Sequence, residues 1–183
     1  MTEFKTHNKH YKFKIPVIGD PSVGKTSLIQ KYTKGSFQND YLPTIGAQFS
    51  KYEEDIDGDR FSLFIWDIAG QDTYHFLRPA FYEGSKGAIV VYSLEENDVG
   101  KSSYSHIDEW HDEIKAYCST IPVILVGNKV DLVDEQELNE KKIEKLVKKR
   151  GFIGHYRTSA KNGTSVLTAF QTLVKELINR NAI

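Results

Sequence analysis

Residues 19–26 read Gly-Asp-Pro-Ser-Val-Gly-Lys-Thr. A glycine, four residues and then Gly-Lys-Thr is the spacing of a loop that wraps phosphates with its backbone N–H groups. The stretch follows an apolar run and opens a helical pattern, so the positive end of a helix dipole faces the same anion. Lys25 can reach the β- and γ-phosphates of a nucleotide, and the Thr26 hydroxyl can ligate Mg²⁺. Pro21 is out of place in such a loop, because proline has no N–H to donate.

Three further stretches carry chemistry, each directly after an apolar run. In Trp-Asp-Ile-Ala-Gly-Gln (66–71) the carboxylate of Asp67 can hold Mg²⁺ through water. Gly70 lets a backbone N–H come close to the γ-phosphate, and Gln71 can orient an attacking water. In Gly-Asn-Lys-Val-Asp-Leu (127–132) the Asp131 carboxylate can accept two hydrogen bonds from the guanine edge, which adenine cannot donate. A polar pair left unmade in a site is costly, so discrimination can be large. Asn128 can bond the base and the neighbouring loop, and the Lys129 stem can cover the ring. In Thr-Ser-Ala-Lys-Asn-Gly (158–163), which includes Ser159 and Lys161, the Ala160 N–H can bond the guanine carbonyl. A loop aspartate by itself is usually only a turn former; it is the set that points to a nucleotide.

These stretches need a scaffold that places strand ends together. Tyr11–Gly19 reads as a strand and Lys25–Lys34 as a helix. Strands are expected at 47–56 and 60–68, joined through Asp57-Gly58, a favoured hairpin turn. The nearly continuous apolar runs 87–93 and 121–127 suit strands buried on both faces. Helical spacing fills 101–117 through Ile107, Trp110, Ile114 and Tyr117, and again 135–149 through Leu138, Ile143, Leu146 and Val147. A short strand is expected near 152–156. The last helix runs from about 164 to 178, with Val166, Leu167, Phe170, Leu173, Val174, Leu177 and Ile178 on one side. The alternation predicts an α/β fold with a mostly parallel sheet, and ligands in such folds sit outside the carboxyl ends of strands. Pro16 removes a ladder bond from the first strand, and a local bulge is expected there.

Composition narrows the function classes. At 183 residues the chain is one domain, with residues 1–11 as a flexible lead and 12–181 as the domain proper. Its 24 basic and 25 acidic residues leave a net charge of -1, so charge offers no case for nucleic acid or an anionic membrane. A single cysteine, Cys118, cannot form an internal disulfide, and a cytosolic compartment fits. The thiol is expected to pack at a helix end. His106 and His111, five apart, miss the spacing of a paired helical metal site and read as surface; the lysine and arginine charges of 141–150, which alternate with acids, read as a solvated helix face.

In this order and context, GDPSVGKTS, YLPTIG, WDIAGQ, GNKVDL and TSAK resemble the five nucleotide-binding segments of the Ras superfamily of small GTPases, over about residues 11–179. The resemblance implies a P-loop G domain with a six-stranded sheet and helices on both faces. It implies a Mg²⁺-dependent GTP/GDP cycle in which Gln71 and Lys25 serve hydrolysis. The loop donors become Ser22, Val23, Gly24, Lys25, Thr26 and Ser27, after Gly19. Phe37 should lie against the guanine, Tyr41 over the phosphates, and Thr44 should join Thr26 and Asp67 at the metal. The stretches 38–46 and 69–78 become the segments that respond to the γ-phosphate.

Within the superfamily the chain is most similar to Rab proteins. TIGAQF at 44–49 looks like the start of a Rab effector strand, and Phe49, Trp66 and Phe81 occupy the places of the Rab aromatic triad, with Ile45 and Tyr74 beside them. The alternative for these aromatics is core packing. The implied partners are an exchange factor, a GTPase-activating protein and effectors, around a monomer. The chain as given ends in Asn-Ala-Ile without a terminal cysteine, so no lipid anchor is expected on it, and membrane association would be peripheral, through partners. Residues 37–44 contain no arginine, so slow hydrolysis is expected without one supplied in trans. A metabolic P-loop kinase or ATPase would have no use for GNKVDL and TSAK. A GTP-binding scaffold with little turnover is the remaining alternative, kept open by Pro21.

Overall fold

The computed structural model describes residues 9–37, 43–56, 58–135 and 138–181. Six strands form one sheet: β1 His10–Ile18, β2 Ala47–Ile56, β3 Asp59–Ile68, β4 Ala88–Ser93, β5 Val123–Asn128 and β6 His155–Thr158. Their order is β2-β3-β1-β4-β5-β6. Only β2 runs antiparallel, paired with β3 from Ala47↔Ile68 to Ile56↔Asp59. The order reverses at β1, and such a switch point opens a crevice at the carboxyl ends of the strands.

Period-two alternation sends the central strands into two cores. Ile15, Val17, Ile89, Val91, Ile124 and Val126 face one side, covered by α1 (Lys25–Lys34) and α6 (Val166–Asn181). Ile18, Val90, Tyr92, Val123 and Leu125 face the other. That side is covered by α2 (Arg78–Tyr82), α4 (Ile107–Tyr117) and α5 (Glu140–Arg150), with α3 (Asp98–Ser105) leading into α4. Among the described residues no helix is long and apolar enough to cross a membrane.

Several expectations are corrected. The bulge at Pro16 is absent: the β1–β3 register runs without a break from His10↔Arg60 to Val17↔Asp67, with Pro16 opposite Trp66. The Lys14 carbonyl accepts from the Lys86 N–H at 2.9 Å. Backbone groups alternate sides along a strand, so the Pro16 nitrogen also faces β4, whose pairing begins only at Val17↔Ile89. The single helix expected over 101–117 is two helices. The backbone turns at His106 (φ -89°, ψ 0°), and the first helix starts early because the Asn97 side chain caps it, accepting from the Gly100 N–H at 3.0 Å. The helix expected from 135 begins at Glu140, after the Asn139 cap. The strand expected near 152–156 is β6, starting later because Gly151 and Phe152 end α5, both donating to the Val147 carbonyl, while Ile153 and Gly154 already bond to β5 through Val123 and Leu125. Leu167 and Tyr117 are exposed rather than on the apolar stripes.

Of the two histidines expected at the surface, His111 is buried instead, while His106 stays partly exposed. His111 is 6% exposed, with its ring edge-on to Phe152 at 4.7 Å. His106 bonds to the phosphate-loop residue Asp20. Cys118 ends α4 and its thiol lies 3.2 Å from the Tyr82 carbonyl, packed as expected.

Candidate functional site

The end of β1, the start of α1 and the loops after β3, β5 and β6 enclose one cavity of about 600 Å³. The loop 19–24 folds back on itself through positive φ at Gly19, Ser22 and Gly24. Successive N–H groups in such a turn aim at a common centre. Among the described residues no side chain caps the N-terminus of α1, and its first turn carries no acid, so its donors remain available. Ser22, Gly24, Lys25, Thr26 and Ser27 line the cavity, as does Pro21. Val23 does not: its side chain lies in the core, and only its backbone belongs to the loop. Gly70 lies so close to this loop that a β-carbon there would come within 2.4 Å of the Gly19 carbonyl and 2.6 Å of the Pro21 nitrogen. A glycine is therefore required where β3 ends.

Lys25 is buried, and its ammonium donates to the Gly19 and Asp20 carbonyls, each at 2.8 Å. Burial brings its pKa down to about 8, opposed by the carboxylates of Asp67 and Asp20; it is charged at neutral pH. Asp67 is 3% exposed. Its Oδ2 accepts from the Thr26 hydroxyl and, at 3.3 Å, from the Thr44 hydroxyl, while its buried Oδ1 has no partner among the described residues. Burial raises the carboxyl's pKa, and the Thr26 bond, Lys25 and the Thr44 bond oppose it. One carboxylate with an unmatched oxygen beside two hydroxyls is an all-oxygen donor set, the kind Mg²⁺ takes when most of its ligands are waters and phosphates. The residues fit that ion.

Gln71 lines the cavity, its buried Oε1 without a partner among the described residues. At the opposite end, Asn128 is the tie between loops. Its Nδ2 donates to the Val23 carbonyl at 2.9 Å; its Oδ1 accepts from the Thr158 hydroxyl at 3.1 Å and the Ala160 N–H at 3.3 Å. The Ala160 N–H is thus turned to Asn128. Lys129 holds a left-handed backbone, and its ammonium lies 2.5 Å from Glu95. Asp131 stands exposed on a 3₁₀ turn, Val130–Leu132, at the cavity wall. Lys161 and Phe37 are at the rim. Ser159 is buried and serves the loop, its hydroxyl accepting from the Asn162 N–H at 3.2 Å. Tyr41 lies outside the described residues.

Sequence reading missed three participants. Asp20, inside the loop, accepts from Trp110 Nε1 at 2.7 Å and meets His106 Nδ1 at 2.8 Å. Glu95 fixes Lys129 and lies directly after β4, so its position after an apolar run was the available signal. Arg78 is 3% exposed and bonds the Gly70 and Gln71 carbonyls; no local pattern distinguished it.

The surface aromatics come together away from the cavity. Phe49 and Trp66 are cross-strand partners with ring centres 5.3 Å apart, and Trp66 lies 5.3 Å from Phe81. Phe49 is 48% and Ile45 80% exposed, whereas Trp66 and Phe81 are half-buried and pack against the core, so core packing accounts for part of this row and Phe49 is its exposed member. Tyr74, half-buried, lies on the 3₁₀ turn Asp72–Leu77 that leads into α2.

A profile of the Ras family matches residues 14–179. The Ypt/Rab-type GTPase YPT7 of Saccharomyces cerevisiae is 34% identical over 175 residues, covering 92% of this chain and 82% of the yeast protein. Ras-related protein Rab-13 of Canis lupus familiaris is 35% identical over 91% of this chain and 80% of its own length. Ras-related protein Rab7 of Drosophila melanogaster is 34% identical over 92% and 82%. The phosphate loop at a strand-order switch point and matches of this extent agree: the chain belongs to the Ras family, as a small GTPase similar to the Rab type.

Proposed function

We propose that the protein is a GTP/GDP switch that hydrolyses GTP slowly unless a partner assists it, and that it serves membrane trafficking or related regulation, as the Rab resemblance suggests. One observation carries the reading: the phosphate loop, the Thr26–Thr44–Asp67 oxygen cluster, Gln71 and the Asn128–Asp131 turn line or adjoin one cavity. The loop N–H groups and Lys25 bind the phosphates. Thr26, Thr44 and Asp67 hold Mg²⁺, which neutralises phosphate charge when bound. Gln71 orients water at the γ-phosphate. Asp131 reads the guanine edge, while Asn128 keeps the base loops in register with the phosphate loop. Phe37 and the Lys129 stem cover the base; Ser159, Ala160 and Lys161 close its far side. Because Thr44 reaches the same carboxylate as Thr26, its segment can order with the γ-phosphate and signal through Ile45, Phe49, Trp66, Tyr74 and Phe81 to effectors. Attachment to membranes is peripheral.

The test is nucleotide preference. Asp131→Asn should lose guanine affinity by about 10²-fold or more and gain affinity for xanthine, whose carbonyl replaces the amine that the carboxylate accepts from. Titration of both nucleotides against both proteins, with ATP as a control, decides it. Unchanged guanine preference in the variant, or equal binding of ATP, would remove this turn from base recognition. Fast turnover by the isolated protein would contradict the slow-switch reading.

A further inference from the structure

Arg78 is the buried cation least explained by nucleotide binding. It does not line the cavity, yet Gly70, Gln71 and, through Asp20, Trp110 tie it there. Its Nη2 donates to the carbonyls of Gly70 at 3.0 Å and Gln71 at 3.2 Å. Its Nη1 donates to Glu113 Oε2 at 3.1 Å, and the other oxygen of that carboxylate accepts from the Tyr82 hydroxyl at 2.8 Å. The guanidinium lies 4.2 Å from the ring centre of Trp110, whose indole N–H holds Asp20 of the phosphate loop. A buried cation is tolerated only when such partners compensate its lost hydration.

Gly70 has no side chain, so its backbone is free to swing unless something restrains it. Two successive carbonyls on one guanidinium nitrogen fix the peptide between them and the direction of the Gln71 side chain, whose backbone is extended (φ -69°, ψ 140°). Through Trp110 and Asp20 the same guanidinium registers that peptide against the phosphate loop.

We propose that Arg78 is a positioning residue for hydrolysis: it clamps the Gly70–Gln71 backbone to the phosphate loop, with Glu113 and Trp110 as its supports. This rests on the reading of Gln71 as the group that orients water. A lysine keeps the charge opposite Glu113 but has neither the planar fork nor the flat face that stacks on Trp110.

The experiment measures single-turnover hydrolysis, GTP affinity and thermal midpoint for the full chain as wild type, Arg78→Lys, Glu113→Gln, Gln71→Leu and the double variant Arg78→Lys/Gln71→Leu. Arg78→Lys should slow hydrolysis about tenfold while GTP affinity stays within about threefold. Glu113→Gln should slow it less, in the same direction. In the Gln71→Leu background Arg78→Lys should add nothing, because groups acting as one unit are non-additive. An unchanged rate in Arg78→Lys, or an equal loss in both backgrounds, overturns the clamp and leaves the Gln71 reading standing. If Gln71→Leu itself hydrolyses GTP like wild type, the reading of Gln71 fails and the clamp with it. Should Arg78→Lys not fold, Glu113→Gln decides, and its unchanged rate overturns the proposal.

Discussion

Pro21 lines the cavity next to Ser22, which holds φ at 64°. Its nitrogen is one of the atoms that a β-carbon at Gly70 would strike, at 2.6 Å, so that nitrogen is packed against the end of β3. The N–H lost there is not among the donors from Ser22 to Ser27. A ring folded back on its own backbone intrudes less on the γ-phosphate side than a branched side chain would. Pro21→Val should therefore slow single-turnover phosphate release more than it weakens nucleotide binding, and Pro21→Gly should stay within about tenfold of wild type in both. Acceleration of Pro21→Gly by about a hundredfold or more would make the proline a brake and favour the scaffold with little turnover.

At the scale of the element, helix ends are where side chains outweigh periodicity. The apolar spacing of 135–149 begins before the helix does, because Leu138 precedes the cap and Asn139 Oδ1 accepts from the Lys142 N–H at 3.0 Å. That bond satisfies a donor that the first helical turn leaves unpaired. Asn139→Ala should cost about 1 kcal/mol, a drop of about 2–4 °C in thermal midpoint for a chain of this size, with nucleotide affinity unchanged. A midpoint equal to wild type would show that the cap contributes nothing beyond what water supplies. On α6, burial of Val166, Ala169, Phe170, Leu173, Val174 and Leu177 follows the 3.6-residue period, and Phe170 stacks on Tyr32 of α1 at 4.1 Å. Leu167 is one step off that stripe, which is why it faces solvent.

At the scale of the molecule, the histidines set the response to acid. His155 bonds the Tyr92 hydroxyl at 2.9 Å, and burial, with Arg157 nearby, brings its pKa from 6.5 down to about 4. The folded state therefore binds fewer protons than the unfolded chain between those values, so stability falls as pH drops through that window. His111, lowered by burial and by Lys115 and Arg150, has the same sign. His106 has the opposite sign: its bond to Asp20 raises its pKa, so its contribution is present in acid and lost as pH rises. Between pH 7 and pH 5 the His155 contribution should be about 2 kcal/mol. Urea unfolding of wild type and His155→Gln at both pH values measures it. Equal losses in the two proteins would show that this imidazole does not control the slope.

The same division separates what was legible in the chain from what was not. The phosphate loop, Asp67, Gln71 and the Asn128–Asp131 turn were readable because each is a contiguous segment after an apolar strand, and strand alternation is a local property. Helix α1 follows its sequence pattern from Lys25 to Lys34 for that reason. Local patterns carry no record of what lies across the sheet. The aromatics Phe49, Trp66 and Phe81 could equally have been core until the β2–β3 register and α2 put them in one row that runs from exposed Phe49 to half-buried Trp66 and Phe81. Asp20 and Trp110 are 90 positions apart, and Arg78 and Glu113 are 35 apart. Neither pair has a spacing that chemistry could recognise, because α4 reaches the phosphate loop only by packing on the sheet. Residue types and local order determined which groups could meet a nucleotide; tertiary packing alone decided which buried charges and hydrogen bonds hold those groups in place.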